Sequence, residues 1–187
     1  MSERLPLSRT SLDSRSAVGA LLKKLVAVRY SGYGTVAYLV ETPAPGRHVS
    51  RESVRAVPGK GFAGDHERKS FYRGALVPGR EVTAIAAEVL AVLGVAPLVV
   101  GDNLITEGID LGRLEPGDRL RVGEVVLVRS DRAHRPCTVF RDRTSPEAFA
   151  AVGRERYRGA LFTVAAGGTM RVGDAIEVME AAGTREA

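Results

Sequence analysis

The sequence predicts a mainly β protein, a closed or nearly closed β-barrel to which two to three short helices are added. Short runs of alternating apolar and polar residues recur along the chain and are bounded by turn residues. The 187 residues include 21 glycines and 9 prolines, which favours many turns and short strands over long helices. Hydrophobic residues make up 44% of the chain, so a single domain of this length can bury a continuous core.

The first elements are a helix and a strand. We expect residues 1–16 to form a flexible tail, because they are polar and lack periodicity. Residues 17–28 predict a short amphipathic helix that packs on its own domain, with Leu21, Leu22 and Leu25 on one side. "YGTVAYLVETP" then predicts a strand that ends at a turn over residues 43–46.

A glycine-rich loop follows a short strand in "SVRAVPGKGFAGDHERKS". Gly59, Gly61 and Gly64 would let backbone N–H groups approach an anion closely, although a plain tight turn explains them equally well. The spacing matches neither a Walker loop nor a dinucleotide fingerprint.

The second half of the chain combines two helical segments with further strands. "REVTAIAAEVLAVLG" predicts a helix over residues 80–94, for which Gly94 provides the stop. "TSPEAFAAVGRER" predicts another helix, in which Thr144 and Glu147 have capping-box spacing. "GDRLRVGEVVLVRS" predicts a hairpin that turns at Gly123 and Glu124, and "GTMRVGDAIEVME" predicts the closing strands.

The composition narrows the function classes. The net charge is +5 and most of the positive side chains are arginine, which favours phosphate or carboxylate ligands. Nucleic acid is a disfavoured partner, because neither a recognition-helix pattern nor aromatic stacking strands are visible. A single cysteine forms no intramolecular disulfide, and no apolar run reaches the ~18–20 residues of a membrane span. We therefore expect a cytoplasmic protein with no membrane contact.

The only cysteine, Cys137, stands in "SDRAHRPCTVF". Free cysteines are often small buried hydrophobes, and "CTVF" reads as the start of a strand. Against this, Pro136 fixes the local backbone, and the nearby Arg132, His134 and Arg135 would stabilise a thiolate, the form that binds soft metals. These local features leave a packing thiol and a reactive thiol equally open. The sequence gives little support for a zinc site, because the spacing of its three histidines and one cysteine matches no known zinc-binding pattern. It also lacks the Gly-x-Ser-x-Gly motif that would indicate a hydrolase.

Six blocks, taken in order, resemble one known family. They are "GTVAYLVETPAPGR", "VPGKGFAGDHERKS", "REVTAIAAEVLAVLG", "VGDNLITEGIDLGRLEPGDRLRVG", "EVVLVRSDRAHRPCTVF" and "GALFTVAAGGTMRVGDAIEV". Together they are similar to the MOSC domain, found at the C-terminus of molybdenum-cofactor sulfurases and as small stand-alone proteins. The Pro-Cys pair is the most specific motif. On this resemblance, residues 31–187 are the MOSC domain, and residues 1–30 are a tail with a short helix.

The resemblance implies a β-barrel whose cysteine binds molybdenum of a molybdopterin cofactor or carries sulfur toward it. Cys137 would be the metal ligand or persulfide carrier, and Asn103 would orient the site. The cationic groups expected to contact the cofactor and its phosphate are Lys60, His66, Arg80 and Arg135. The family is also associated with pyridoxal phosphate binding.

Three functions follow as hypotheses. The first is a molybdenum-dependent reduction of N-hydroxylated compounds with electrons from a partner protein. The second is a non-catalytic carrier that receives sulfur or cofactor from a donor protein and delivers it to another enzyme. The third is a basic module that binds a polyanion.

Overall fold

Thirteen short strands and five helices form in residues 9–154 and 156–179, the part of the chain that the computed structural model describes. The strands are β1 (Gly34–Ala44), β2 (Arg47–Arg51), β3 (Ser53–Val57), β4 (Gly61–Phe62), β5 (Phe71–Tyr72), β6 (Ala75–Leu76), β7 (Val82–Ala86), β8 (Leu104–Glu107), β9 (Arg119–Val122), β10 (Val125–Arg129), β11 (Ala160–Ala166), β12 (Gly168–Arg171) and β13 (Ala175–Met179). The helices are α1 (Arg9–Val26), α2 (Ala87–Leu93), α3 (Pro97–Val100), α4 (Thr138–Arg143) and α5 (Pro146–Arg154), with 3-10 turns at Leu111–Arg113 and Arg156–Arg158. Residues 1–8 of the tail predicted over residues 1–16 lie outside the described residues.

Seven strands close into a barrel in the order β1, β13, β9, β10, β11, β7 and β8, and β8 pairs again with β1. The ring closes where Gly34 of β1 lies opposite Ile176 of β13. All pairs in the ring are antiparallel except β7 with β8, which are parallel and are joined through α2 and α3, as a parallel pair requires. The predicted closed barrel is confirmed. The helices outnumber the expected two to three because α3 and α4 are too short to show periodicity.

Two apolar clusters lie on the two sides of the barrel wall. The inner cluster includes Leu39, Leu104, Leu120, Leu127 and Phe162, all fully buried. The outer cluster lies between the wall and the helices and contains Val18, Leu25, Ile85, Leu90, Ile105, Phe140 and Val152. Adjacent residues on a strand therefore serve different clusters, as the alternating side chains of a strand require.

The helix predicted over residues 80–94 is wrong in its first half, because Val82–Ala86 is strand β7 and the helix begins only at Ala87. All five residues of β7 are buried, since the barrel interior covers one face and the helices cover the other. A strand buried on both faces shows no polar alternation, so its sequence resembles a buried helix. Gly94 does end the helix, in a left-handed conformation with φ 66°.

The other helices also differ in detail from the sequence predictions. Helix α1 begins at Arg9, within the segment expected to be a tail, and it packs against α5 and α2 as expected for a helix that covers its own domain. Helix α5 is capped by Ser145 rather than Thr144, because the Ser145 Oγ accepts the Ala148 N–H at 3.0 Å. Of the helices in the described part of the chain, none is both long and apolar enough to span a lipid bilayer.

Gly159 allows close contact between β11 and β7. Its φ is +93°, and a Cβ there would lie 1.9 Å from the Ala84 carbonyl oxygen. Gly173 has a similar φ of +87° but an added Cβ would meet nothing within 4 Å. The two glycines thus share a left-handed backbone and differ in the space around them.

We expect Gly173→Ala to lower the free energy of unfolding by about 1–2 kcal/mol, the cost of a left-handed backbone for a residue with a Cβ. Gly159→Ala should lower it by about 2 kcal/mol more, because the added methyl group forces the two strands apart. Urea unfolding of the two variants measures the difference. Equal losses would show that the β11–β7 approach is not sterically limited.

Candidate functional site

Cys137 lines a pocket of about 250 Å³. The pocket, called here the cysteine pocket, is lined among others by Lys69, Phe71, Arg80, Thr83, Asp102, His134, Cys137, Val139, Arg143 and Arg158. The thiol is exposed, so it is not a packing residue. The interpretation of Cys137 as a small buried hydrophobic residue is therefore excluded.

The prediction that Cys137 begins a strand is wrong. Cys137 precedes the first residue of α4 with extended backbone (φ −109°, ψ 173°), and its carbonyl accepts the Arg141 N–H at 3.1 Å. The segment forms a helix because that conformation buries Phe140 in the outer cluster. Tertiary burial thus overrides the strand propensity of the apolar residues after Cys137.

Asn103 is fully buried behind the pocket and connects three parts of the chain. Its Nδ2 donates to the Val40 carbonyl at 3.2 Å and to Asp65 Oδ2 at 2.8 Å. Its Oδ1 accepts from the Thr83 N–H at 3.3 Å and from Lys69 Nζ at 2.7 Å. The Asn103 side chain contacts the pocket wall through Lys69 and Thr83 and does not itself line the cysteine pocket.

Lys69 provides a cation that sequence reasoning missed. Burial lowers the pKa of Lys69 to about 8, an effect that the charge of Asp65 opposes and that of Arg80 adds to. Burial also raises the pKa of Asp65, against the stabilising charge of Lys69 and the Thr42 N–H, which donates to Asp65 Oδ1 at 2.6 Å. Lys69 therefore holds a proton that it can release within the ordinary pH range.

A buried ion pair forms the floor of the pocket. Arg158 Nη1 donates to Asp102 Oδ2 at 2.7 Å, and both side chains are almost fully buried. The Arg158 guanidinium also lies over the Phe140 ring, 4.7 Å from its centroid. His134 Nε2 lies 3.6 Å from Asp102 Oδ1, too far for a strong hydrogen bond.

His134 carries no charge at neutral pH. Burial, followed by the positive charges of Arg158, Arg80 and Lys69, lowers the pKa of His134 well below its ordinary value. The prediction that His134 is one of the cations that stabilise a thiolate at Cys137 is therefore wrong. The positive charge comes instead from side chains distant in sequence.

Apart from the buried Asn103, the predicted site residues fall into three places. Arg80 lines the cysteine pocket with Cys137. Lys60 and His66 line an adjoining groove of about 360 Å³ that shares Lys69 and Phe71 with the cysteine pocket. Arg135 lines a different cavity, which shares only His134 with the cysteine pocket.

The glycine-rich loop binds the protein's own carboxylates. The Gly64 N–H donates to Glu41 Oε1 at 3.1 Å, and the Gly59 N–H donates to Glu81 Oε2 at 3.2 Å. A Cβ at Gly64 would lie 2.2 Å from the Glu41 carboxylate. The small residues thus allow a backbone–anion contact, but the anion is a side chain of the same chain.

Two more side chains of the pocket went unnoticed in the sequence. His48 Nδ1 lies 2.6 Å from the Leu98 carbonyl oxygen, and His48 Nε2 lies 3.1 Å from Arg143 Nη1. These contacts connect β2, α3 and α4 around the pocket. Arg143 and Arg158 belong to no short motif, so their only signal was an excess of arginine over the whole chain. Lys69 lies within the glycine-rich block, but nothing there distinguished it from the neighbouring charged residues.

The described residues form a closed seven-stranded barrel with an exposed cysteine at a cationic pocket, and the comparisons with known proteins assign this barrel to a family. The sequence model of the MOSC domain matches residues 75–177, more than half of the chain. The chain belongs to the MOSC domain family, as its resemblance predicts. No curated protein sequence matches it significantly.

Solved structures share the fold. The YuaD protein from Bacillus subtilis has a TM-score of 0.61 at 21% identity, over 78% of this chain and 95% of that one. YiiM from Escherichia coli has a TM-score of 0.56 at 22% identity, over 82% and 71% of the two chains. YiiM from Geobacillus stearothermophilus has a TM-score of 0.54 at 14% identity, over 81% and 75%. At these identities the likeness concerns the fold.

We expect Asp102→Asn to lower the free energy of unfolding by about 3 kcal/mol, because it leaves the buried charge of Arg158 without its counter-charge. Asp142→Asn is the matched control, since Asp142 pairs with Arg141 at 2.9 Å on the exposed surface of α4. The control should change stability by less than about 1 kcal/mol. Urea unfolding measures both, and similar small losses would contradict a structural role for the buried pair.

The neutral state of His134 predicts a loss of stability in mild acid. The unfolded chain binds a proton at this residue below about pH 6.5 while the native chain does not, so stability falls as the pH falls below that value. From pH 7.5 to 5.5 the loss due to His134 should approach about 1.4 kcal/mol. Urea unfolding of His134→Gln at both pH values should lack this loss, and an identical pH dependence in the two proteins would show that His134 titrates normally in the fold.

Proposed function

We propose that this protein binds a molybdopterin cofactor at the cysteine pocket, with Cys137 as its protein ligand to molybdenum or as a carrier of sulfur. The observation that carries the proposal is an exposed thiol at a pocket with an excess of cations. Four cationic side chains line it, namely Lys69, Arg80, Arg143 and Arg158, against the single carboxylate of Asp102, which is already paired with Arg158. An anionic ligand would balance this charge.

The side chains present fit such a cofactor. A thiol is a suitable ligand for a soft metal, and guanidinium and ammonium groups are suitable donors for a phosphate. No group of three or more histidine, cysteine or acidic side chains within residues 9–154 and 156–179 is arranged to hold a metal ion. A metal at Cys137 would therefore need a cofactor that brings its own ligands, as a dithiolene does.

The roles of the other residues follow from where they lie. Arg80 and Lys69 would contact the cofactor beside Cys137, and Asn103 would hold Lys69 in place through the 2.7 Å hydrogen bond. Lys60 and His66 are candidates for the phosphate, because their groove adjoins the pocket. Arg135 lines a separate cavity, which favours a ligand other than the cofactor for this side chain. Contact between Arg135 and the cofactor remains a prediction.

When bound, the cofactor would supply two-electron redox chemistry, and an N-hydroxylated compound is the substrate class that we propose. The chain itself would supply protons and position. Lys69, whose pKa is about 8, holds a proton on Nζ at the pocket wall. The side chains of Phe71 and Val139 give the pocket an apolar part. Electrons would come from a donor protein.

The second candidate is a carrier that delivers sulfur or cofactor to another enzyme. The exposure of Cys137 favours it, because a partner protein can reach the thiol without a conformational change. Val139, which is half exposed on the same turn of α4, offers an apolar contact beside the thiol.

The first test is the molybdenum content of the protein purified from a host that makes the cofactor. We expect the wild type to retain molybdenum and Cys137→Ser to lose at least about nine-tenths of it, since a hydroxyl is a poor ligand for a soft metal. Asp142→Asn, also on α4 but outside the pocket, is the control and should retain wild-type content. Equal and negligible molybdenum in all three proteins would exclude tight binding. It would leave the carrier, which a persulfide assay on Cys137 would then test, and the polyanion module.

Turnover separates the enzyme from the carrier. The molybdenum-loaded protein should reduce a hydroxylamine substrate when a reduced viologen dye supplies electrons, and Cys137→Ser should not. A loaded wild-type protein without turnover would favour the carrier. If neither the wild type nor Cys137→Ser contains cofactor and Cys137→Ser still binds anions, the polyanion-binding module is favoured.

A further inference from the structure

A cavity of about 720 Å³ shares only His134 with the cysteine pocket, and Arg135 is the only predicted cofactor contact that lines it. Its apolar side is formed by Leu111, Leu114 and Val152, which are buried, and by the half-buried Phe149. The volume is within the range of small-molecule sites, roughly 300–1,000 Å³. The cavity therefore has both the room and the apolar surface to cover a ring.

Four arginines line the same cavity, namely Arg129, Arg135, Arg154 and Arg156, and two carboxylates oppose them. One of these carboxylates is engaged, because Arg156 Nη1 lies 2.9 Å from Glu115 Oε1. Arg135 and Arg154 have no hydrogen-bond or ion-pair partner among the described residues. Two guanidinium groups are thus free to bind an anion.

Arg129 is held rigidly in this cluster. Its Nη1 donates to the carbonyl oxygens of Ser130 and Arg132. Its Nε is buried and has no hydrogen-bond partner in the described part of the chain. Burial, and next the positive charge of Arg156, lower the pKa of Arg129, while the charges of Glu115 and Asp131 oppose this shift. Four arginines against two carboxylates leave the cavity with an excess of positive charge. A bound anion would relieve this repulsion.

We propose that this cavity, called here the arginine cavity, binds an amphiphilic anion, a phosphate or carboxylate attached to an apolar or aromatic ring. The guanidinium groups of Arg135 and Arg154 bind the anion, and the ring lies against Leu114 and Phe149. The site is distinct from the cysteine pocket, with which it shares only His134. Binding there does not depend on Cys137.

The probe is 1-naphthyl phosphate, titrated into the full-length protein and followed by calorimetry. Inorganic phosphate and 1-naphthol are the control ligands, each of which represents one half of the probe. We expect naphthyl phosphate to bind at least about ten-fold more tightly than either half, because only the whole molecule uses both the cations and the apolar side. If inorganic phosphate binds as tightly as naphthyl phosphate, the proposal that the ligand is amphiphilic is wrong.

Variants locate the site. Arg154→Gln should weaken binding about ten-fold or more, since a charge-assisted hydrogen bond is lost. Ala150→Glu, which keeps the helix propensity of α5 and places a carboxylate in the cavity, should abolish it. Arg121→Gln removes one exposed positive charge from β9, outside the cavity, and should leave the affinity unchanged within about two-fold.

The cysteine pocket is the competing site, and Arg80→Gln and Cys137→Ser test it. Both variants should bind naphthyl phosphate as the wild type does. Loss of binding in Arg80→Gln with retention in Arg154→Gln would overturn the proposal, because the probe would then occupy the cysteine pocket. Equal weakening by Arg154→Gln and Arg121→Gln would also overturn it, since the binding would reflect net charge alone. These outcomes are independent of the molybdenum content that tests the cysteine pocket.

Discussion

The site depends on the hydrogen bonds of one buried amide, that of Asn103. Its side chain joins β1 at the Val40 carbonyl, β7 at Thr83, and the loop that carries Asp65 and Lys69. An amide can donate on one side and accept on the other, so it satisfies a backbone carbonyl, a carboxylate and an ammonium group together. A carboxylate or a hydroxyl at this position could not do so. The same contacts that hold the loop on the barrel therefore hold Lys69 at the pocket wall.

The charge distribution around this amide is costly for the fold. The Arg158 side chain is buried, Lys69 is partly buried, and a histidine near them is kept neutral. The carboxylates of Asp102 and Asp65 and the neutral oxygen of Asn103 offset only part of the cost of burying these cations. Perturbed ionisable groups around a cavity are typical of functional sites, where charge is positioned for a ligand rather than for stability.

The barrel was predictable because its strands bury one face in a period that is visible in the sequence, as the pairing of β9 with β10 around Gly123 illustrates. The prediction failed at β7, where both faces are buried, and at Cys137, where burial of Phe140 draws an apolar segment into a helix. Cys137 and Arg80 were found in the sequence and do line one pocket. Lys69 and Arg158 were not found, because each reaches the pocket only through contacts between residues far apart in the chain.

The sequence by itself determined the fold class, the family and the single thiol, since these rest on local periodicity, ordered motifs and a count of residues. Only the tertiary structure decided that the thiol is exposed, that His134 is neutral and that Arg135 faces a cavity other than the cysteine pocket. The exposure of a side chain, its charge state and the cavity that it faces all depend on which side chains from distant parts of the sequence surround it. That arrangement is set by barrel closure and helix packing rather than by neighbours in sequence.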